Sequence, residues 1–207
     1  MIKAVIFDMD GVLIDAKDWH YESLNKALGL FGSEISRYDH LVTFDGLPTK
    51  KKLEMLSLEG GFPSGLHGFV NDLKQQYTMD IIHAKCKPVF QHQYALSKLK
   101  NAGYHMAVCS NSIRMTIEVM MEKAGLAPYL DFIISNQDVK HGKPDPEMYN
   151  TAIQRLGLDS KECLIVEDNE NGIKAALASG GHLFKVENPD DMHYYNIINR
   201  ISAIEND

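Results

Sequence analysis

Two acidic side chains follow the first apolar run of this 207-residue chain. Asp8 and Asp10 are two positions apart after residues 3–7, and Gly11 comes next. Carboxylates this close repel each other unless a cation or a shared proton relieves the repulsion. A glycine permits a sharp turn and a close approach of a ligand to the backbone. The pattern indicates either a cation site or a solvated turn that ends a strand.

A second acidic pair, Glu167 and Asp168, follows the apolar run 163–166. By itself this pair could be the acidic start of a helix, where the helix dipole stabilises negative charge. Together with Asp8 and Asp10 it makes four acids. Such a set of oxygen ligands favours a hard divalent cation and predicts Mg²⁺ as the cofactor.

A hydroxyl and an amide, Ser110 and Asn111, precede a predicted helix that starts near Ile113. We expect them to cap that helix. The same geometry leaves N–H groups and a hydroxyl directed at an anion, which is typical of a phosphate site, and both interpretations can hold together.

Lys143 is flanked by a glycine and a proline, and the proline favours an extended backbone at the lysine. A loop lysine is usually solvated. Lys143 also belongs to a series of polar groups that follow apolar runs, here called stations: Asp8 with Asp10, Ser110 with Asn111, Lys143, and Glu167 with Asp168. Its place in this series suggests a fixed positive charge near the acids and a phosphoryl group.

Short apolar runs alternate with helical patterns, which predicts a parallel sheet covered on both faces, an α/β fold. Ligands bind beyond the carboxyl ends of the strands in such folds, so the polar stations should meet at one edge. The predicted strands are 3–7, 104–109, 131–135, 163–166 and 182–186, with helices near 91–101, 113–124, 146–156 and 171–179.

Residues 15–84 interrupt this alternation with helical patterns near 18–31, 48–58 and 67–83. We predict a helical subdomain over 15–84, inserted into a core that is formed by residues 1–14 and 85–207. The sequence shows no internal repeat.

The order of the four stations resembles the haloacid dehalogenase superfamily of phosphotransferases. Its motifs resemble Asp8-Met-Asp10-Gly, Ser110-Asn111, Lys143 in Gly-Lys-Pro-Asp-Pro, and Glu167-Asp168-Asn-Glu-Asn-Gly. The resemblance implies a Rossmann-like core and identifies 15–84 as the helical C1 cap of the subfamily that contains beta-phosphoglucomutase and many small phosphatases.

The resemblance also implies a mechanism. Asp8 would attack phosphorus and form an aspartyl-phosphate, while Asp10 would act as the general acid and base. The implied magnesium ligands are Asp8, Asp10, Glu167 and Asp168. The implied phosphoryl-binding groups are Ser110, the Asn111 backbone and Lys143.

Phosphatase and phosphomutase activity both remain open at this point. His20 aligns with a histidine near the hinge of the mutase, although it could equally be a surface histidine. Asp45 and Thr49 stand where the mutase has a lysine and an arginine for the second phosphate, which favours a phosphatase. Lys50 and the two lysines after it could compensate, but consecutive helical residues cannot all face one way. The cap residues that we expect to influence substrate choice are His20, Asp45, Gly46, Thr49 and Lys50.

Composition limits the partners. A formal charge of −7 argues against nucleic acid. No apolar run approaches the roughly 20 residues of a membrane span. Three cysteines without a paired spacing suit a reducing compartment, so we expect a cytoplasmic protein.

The expected function is magnesium-dependent hydrolysis of a small phosphorylated metabolite; a non-catalytic scaffold or phospho-binding protein is the remaining alternative.

Overall fold

The chain divides into two compact units in the computed structural model, which describes residues 1–44 and 46–206. The first unit comprises Met1–Asp15 and Lys87–Asp207, and the second comprises Ala16–Cys86. Among the described residues, no helix combines the length and the apolar character that a membrane crossing needs.

The first unit contains a parallel five-stranded sheet in the order β3-β2-β1-β4-β5. The predicted α/β fold is therefore confirmed, with β1 as the central strand. Chain order runs outward from β1 in both directions, so β1 lies at the topological switch point where ligands bind in such sheets. The strands are β1 (Ala4–Phe7), β2 (His105–Cys109), β3 (Phe132–Ile134), β4 (Cys163–Glu167) and β5 (His182–Lys185).

The strand register sets which residues lie side by side at the carboxyl edge. Phe7 pairs with Val108 on one side and with Val166 on the other. Asp8 therefore stands level with Cys109 of β2 and Glu167 of β4. Because β1 and β4 are fully buried, their ends deliver these residues into the protein interior.

The helices alternate with the strands in the first unit and make up most of the second. In chain order they are α1 (Lys17–Gly29), α2 (Arg37–Asp39, continued by a π-helical segment His40–Phe44), α3 (Thr49–Gly60), α4 (His67–Lys85), α5 (Phe90–Asn101), α6 (Arg114–Lys123), α7 (Glu147–Leu156), α8 (Glu170–Ala178) and α9 (Tyr194–Asn206).

Apolar side chains of α7 and α8 cover one face of the sheet. Met148 and Ala152 of α7 pack with Ile6 and Ile165 of the central strands, and all four are buried. Such burial contributes about 25 cal/mol per Å² of apolar surface. This core holds the strand ends and the starts of α7 and α8 together.

The last helix, α9, was not predicted from the sequence. Its segment is rich in isoleucine and tyrosine, which favour strands when considered alone. In the structure Ile197 and Ile201 are buried, one helical turn apart, and α9 packs on α5. Tertiary packing therefore outweighs the local preference.

The second unit has its own apolar core. Leu24 and Leu28 of α1 pack with Leu53 of α3 and Val70 of α4, and all four are buried. The spacing of Leu24 and Leu28 places both on one helical face. These contacts join the helices of the insertion.

Candidate active site

Asp8 lies immediately after β1 and is buried, with 5% of its surface exposed. Its backbone N–H donates to the carbonyl of Val166 at 2.9 Å, so the pairing of β1 with β4 continues to Asp8 itself. Asp8 is therefore a buried extension of β1 and not a solvated residue. Gly11, three residues later, has a positive φ of 91°, which suits a glycine at this turn.

Lys143 reaches the same strand level from the loop before α7. Its Nζ donates to Asp8 Oδ1 at 2.6 Å, to Glu167 Oε1 at 2.6 Å and to the carbonyl of Cys109 at 2.8 Å. These acceptors are the last residues of β2 and β4 and the residue that follows β1, the strand between them. An ammonium group has three hydrogens, and these bonds use them all. Lys143 is thus a buried, fixed cation and not a solvated loop lysine.

Burial and neighbouring charges shift the pKa values of Asp8 and Lys143. Burial raises the pKa of Asp8 well above its ordinary value; Lys143 opposes this, while Glu167, Asp168 and Asp10 raise the pKa further. Burial alone would lower the pKa of Lys143, but the two carboxylates that it contacts outweigh burial and raise it. The two carboxylates thus favour the charged form of Lys143, whereas burial and the neighbouring acids disfavour the ionised form of Asp8.

Glu167 is the last residue of β4 and is completely buried. Its Oε1 accepts hydrogen bonds from Lys143 Nζ and from the hydroxyl of Tyr149 at 2.5 Å. Its Oε2 accepts from the backbone N–H of Asp168 at 3.2 Å. A buried charge is tolerated when it is paired and hydrogen-bonded in this way.

One oxygen from each of Asp8, Glu167 and Asp168 can be found within 4.8 Å of the others. A cluster of carboxylate oxygens is the donor set that Mg²⁺ and Ca²⁺ prefer, so these residues fit a hard divalent cation. Asn169, and not either acid, is the N-cap of α8, and its side chain accepts from Gly172 N–H. The two acids directly precede this N-cap, where the helix dipole also favours negative charge, so a helix-start role stays open beside the cation site.

Asp10 belongs to the same group of charges, since it contributes to the raised pKa of Asp8. Its Oδ2 accepts a hydrogen bond from the hydroxyl of Ser112 at 3.3 Å. The donor comes from the loop after β2, so the loops of two neighbouring strands meet at this carboxylate.

The prediction that Ser110 and Asn111 cap α6 is wrong. The N-cap is Ile113, and Gln137 Oε1 accepts the N–H of Arg114 at 2.9 Å instead. Ser110 is buried, and its Oγ accepts the N–H of Ser112 at 3.1 Å. The side chain of Asn111 bonds to the backbone of Lys143. The other interpretation, a phosphate site at this loop, stays a prediction.

The cap residues predicted from the sequence belong to the second unit. His20, on α1, has its Nδ1 at 3.2 Å from Lys74 Nζ on α4. Gly46 has a positive φ of 69°. Thr49 starts α3, and Lys50 follows it on the exposed side. Asp45 lies outside the described residues. A role of these residues in substrate choice stays a prediction.

Two residues that bind the acids of the site, Tyr149 and Ser112, were not predicted from the sequence. Tyr149 falls on the apolar face of an amphipathic helix, where a tyrosine is normally a core residue, and no sequence signal connects it with Glu167. Ser112 follows Ser110 and Asn111 directly, so its place beyond a predicted strand was a usable signal.

The fold and the site define a class: a Rossmann-like α/β protein with a lysine-paired aspartate at the carboxyl end of its central strand. Residues 5–186 match the family described as haloacid dehalogenase-like hydrolase, and the chain belongs to that family.

Individual relatives agree with this assignment. The pyrophosphatase PpaX of Bacillus velezensis is 29% identical over 188 residues, covering 86% of this chain and 80% of the relative. The phosphorylated carbohydrates phosphatase of Thermotoga maritima is 26% identical over 182 residues, covering 86% and 82%. The crystal structure of beta-phosphoglucomutase from Clostridium difficile matches over 100% of both chains, with a TM-score of 0.87 and 20% identity, and this likeness shows the fold alone.

Proposed function

We propose that the protein is a magnesium-dependent phosphatase that hydrolyses a small phosphomonoester through an aspartyl-phosphate on Asp8. The observation that carries the proposal is the buried hydrogen bond of 2.6 Å from Lys143 Nζ to Asp8 Oδ1 at the switch point of the sheet. A nucleophile at this edge is accessible to a ligand bound beyond the strand ends.

The chemistry has two steps. An oxygen of Asp8 bonds to phosphorus while the ester P–O bond breaks, and the departing oxygen takes a proton from Asp10. A water oxygen then bonds to phosphorus and gives a proton to Asp10, while the bond from phosphorus to Asp8 breaks and inorganic phosphate leaves. General acid–base catalysis of this kind contributes typically about 10²–10⁴-fold.

Mg²⁺ would be held by Asp8 and Asp168, with Glu167 and the Asp10 carbonyl in support. Bound there, it would neutralise charge between an anionic nucleophile and an anionic phosphate. The raised pKa of Asp8 supports this assignment, because burial and three neighbouring acids outweigh the lysine. A cation bound by these residues would favour the ionised form of Asp8, which is the form that attacks phosphorus.

The phosphoryl oxygens would be bound by Ser110 and by the backbone of the loop that follows it. Lys143 would act on them mainly through its charge, because three protein oxygens already accept hydrogen bonds from its Nζ. A direct bond to phosphate would require one of these three to be exchanged. Preorganised positive charge of this sort stabilises the transition state of phosphoryl transfer.

The names of two relatives guide the choice of substrate. One is named for phosphorylated carbohydrates and the other for pyrophosphate. We propose a small phosphorylated metabolite, with sugar phosphates as the first class to test.

The test is phosphate release from a panel of sugar phosphates, other small phosphomonoesters and pyrophosphate, with Mg²⁺ and with EDTA. The variants are Asp8→Asn and Asp10→Asn. Asp159→Asn is the matched control, because Asp159 caps a 3₁₀ turn before β4, at the opposite edge of the sheet. We expect release that requires Mg²⁺, is abolished by Asp8→Asn, falls strongly in Asp10→Asn and is retained by Asp159→Asn.

Other outcomes contradict the proposal in distinct ways. Preference for pyrophosphate would make the substrate an anhydride and not an ester. Labelling of Asp8 by a sugar bisphosphate, without release of phosphate, would indicate phosphomutase activity. Unchanged release by Asp8→Asn would remove Asp8 as the nucleophile.

A further inference from the structure

The side chain of Asn111 binds the main chain of the residue that supplies the buried cation. Its Oδ1 accepts the N–H of Lys143 at 3.0 Å, and its Nδ2 donates to the carbonyl of Lys143 at 3.2 Å. The two bonds fix the orientation of the amide, because only its oxygen can accept and only its nitrogen can donate. The Asn111 amide thus binds both backbone polar groups of Lys143, as the backbone of a neighbouring β-strand would.

Gly142 makes room for this amide. A Cβ built on Gly142 would lie 2.5 Å from Asn111 Oδ1, closer than real Cβ contacts. Gly142 does not have a positive φ, so alanine is compatible with its backbone conformation. The glycine is therefore required here for space and not for its torsion angles.

The loop before α7 that carries Lys143 is also held by other hydrogen bonds, including one from the N–H of Asp145 to the carbonyl of Gly142 at 3.1 Å. On its outer side, the Glu147 carboxylate accepts the N–H groups of Lys140 and His141 at 2.9 Å each. On its inner side, Asn111 bonds to Lys143 itself. Of these contacts, the Asn111 amide is the one that binds the main chain of Lys143, from which the lysine side chain starts.

We infer that Asn111 is a positioning residue: its side chain fixes the backbone of Lys143 so that Nζ reaches Asp8 and Glu167. The inference rests on the proposed function only for its kinetic readout. Asn111 would then have two separate roles: its side chain positions Lys143, and its backbone N–H is available to bind a phosphate. Removing the side chain tests the first role alone, because the backbone N–H is retained.

The test is a double-mutant cycle of Asn111→Ala and Gly142→Ala. Small displacements at a catalytic centre can cost about 10²-fold in rate, so each single variant should lower kcat by about 10–100-fold with little change in KM. The double variant should be no worse than Asn111→Ala, because the new methyl group of residue 142 occupies the space that the amide has left.

Two further variants distinguish positioning from general structural damage. Asn111→Asp keeps the oxygen that accepts from Lys143 and loses the donor, so its kcat should lie between those of the wild type and Asn111→Ala. Gln137→Ala removes another loop amide, which binds the N–H of Arg114 and does not touch Lys143. Its kcat/KM should equal that of the wild type even if its melting temperature falls.

Hydrogen exchange at the Lys143 amide supplies a readout that does not need activity. It should be slow in the wild type and faster in both single variants. If the wild type releases no phosphate, the proposed function fails, while exchange still tests the contact. Equal exchange in the wild type and Asn111→Ala, a wild-type kcat for Asn111→Ala, or an undiminished cost of Gly142→Ala in the Asn111→Ala background would overturn the inference.

Discussion

Lys143 donates a hydrogen bond to Asp8 across 135 positions of sequence, with 2.6 Å between Nζ and Oδ1. The same Nζ lies 2.6 Å from Glu167 Oε1. Both carboxylates are buried, so their repulsion is poorly screened by water. One lysine thus allows two acidic strand ends to stand next to each other.

Replacing Lys143 with methionine should destabilise the protein and abolish phosphate release. Removal of one partner from a buried ion pair typically costs about 3–5 kcal/mol, because the other charge is left uncompensated. Urea unfolding in EDTA measures this cost. Lys140→Met, on the exposed part of the same loop, is the control and should change stability by less than about 0.5 kcal/mol. Equal stability of the two variants would contradict the structural role of Lys143.

Tyr149→Phe should weaken the site without removing it. The ring stays in the core, but Glu167 Oε1 loses the hydroxyl that donates to it. Loss of a buried partner costs about 1–3 kcal/mol, and kcat should fall because the Glu167 carboxylate gains freedom. Urea unfolding and steady-state kinetics measure both effects. Tyr195→Phe, at an exposed tyrosine of α9, should change neither quantity.

Gly172→Ala should be damaging, although alanine is the better helix former. Gly172 lies in α8 against β4, and a Cβ there would overlap the carboxylate of Glu167. The carboxylate must move, so we expect a loss of stability and a fall in kcat/KM of about 10²-fold.

Gly68→Ala in α4 is the matched helix control for that substitution. A Cβ at Gly68 would meet nothing within 4 Å. Relief of glycine flexibility should stabilise the protein by about 0.5–1 kcal/mol. Thermal unfolding compares the two variants, and stabilisation by both would show that Glu167 tolerates the added methyl group.

Asp138 should make a pH-dependent contribution to stability. Partial burial raises its pKa, but hydrogen bonds from Ser135 and the charge of Arg114 outweigh burial and lower the pKa below 3.8. Between the lowered folded pKa and the unfolded value, the unfolded chain binds more protons, so stability rises with pH there. The stabilisation is therefore complete above about pH 5 and is lost as pH falls through the folded pKa.

The measurement is the difference in unfolding free energy between the wild type and Asp138→Asn, from urea titrations at a series of pH values. The difference should favour the wild type near neutral pH and shrink below about pH 4. A difference that stays constant down to the lowest pH at which the protein folds would contradict the assignment of the stabilisation to the Asp138 charge.

Much of the fold was predictable because its signals are local. The five predicted strands are all present, and no strand end differs from the prediction by more than one residue. Buried strands of a parallel sheet have near-continuous apolar sequences, which can be recognised from neighbouring residues alone. The missed helix α9 shows the limit, since its helical state depends on packing against α5.

The sequence predicts which polar residues lie at the edge of the sheet, but not which of them contact one another. Because parallel strands end at one edge, the sequence could assign Asp8 and Glu167 to the same place. It could not reveal that Tyr149 binds Glu167 or that Asn111 binds Lys143, because these pairs depend on how loops and helices return to the sheet.

The sequence by itself determined the order of acids, hydroxyl, amide and lysine along the chain, and the parallel sheet that brings their strands to one edge. Only the tertiary structure decided their ionisation and partners: that Lys143 is buried between Asp8 and Glu167, and that Asn111 contacts its backbone. Strand formation depends on neighbouring residues, whereas burial and hydrogen-bond partners depend on groups that are distant in the chain. For that reason, chemistry-bearing residue types can be recognised from sequence, while their pKa values and orientations require the folded structure.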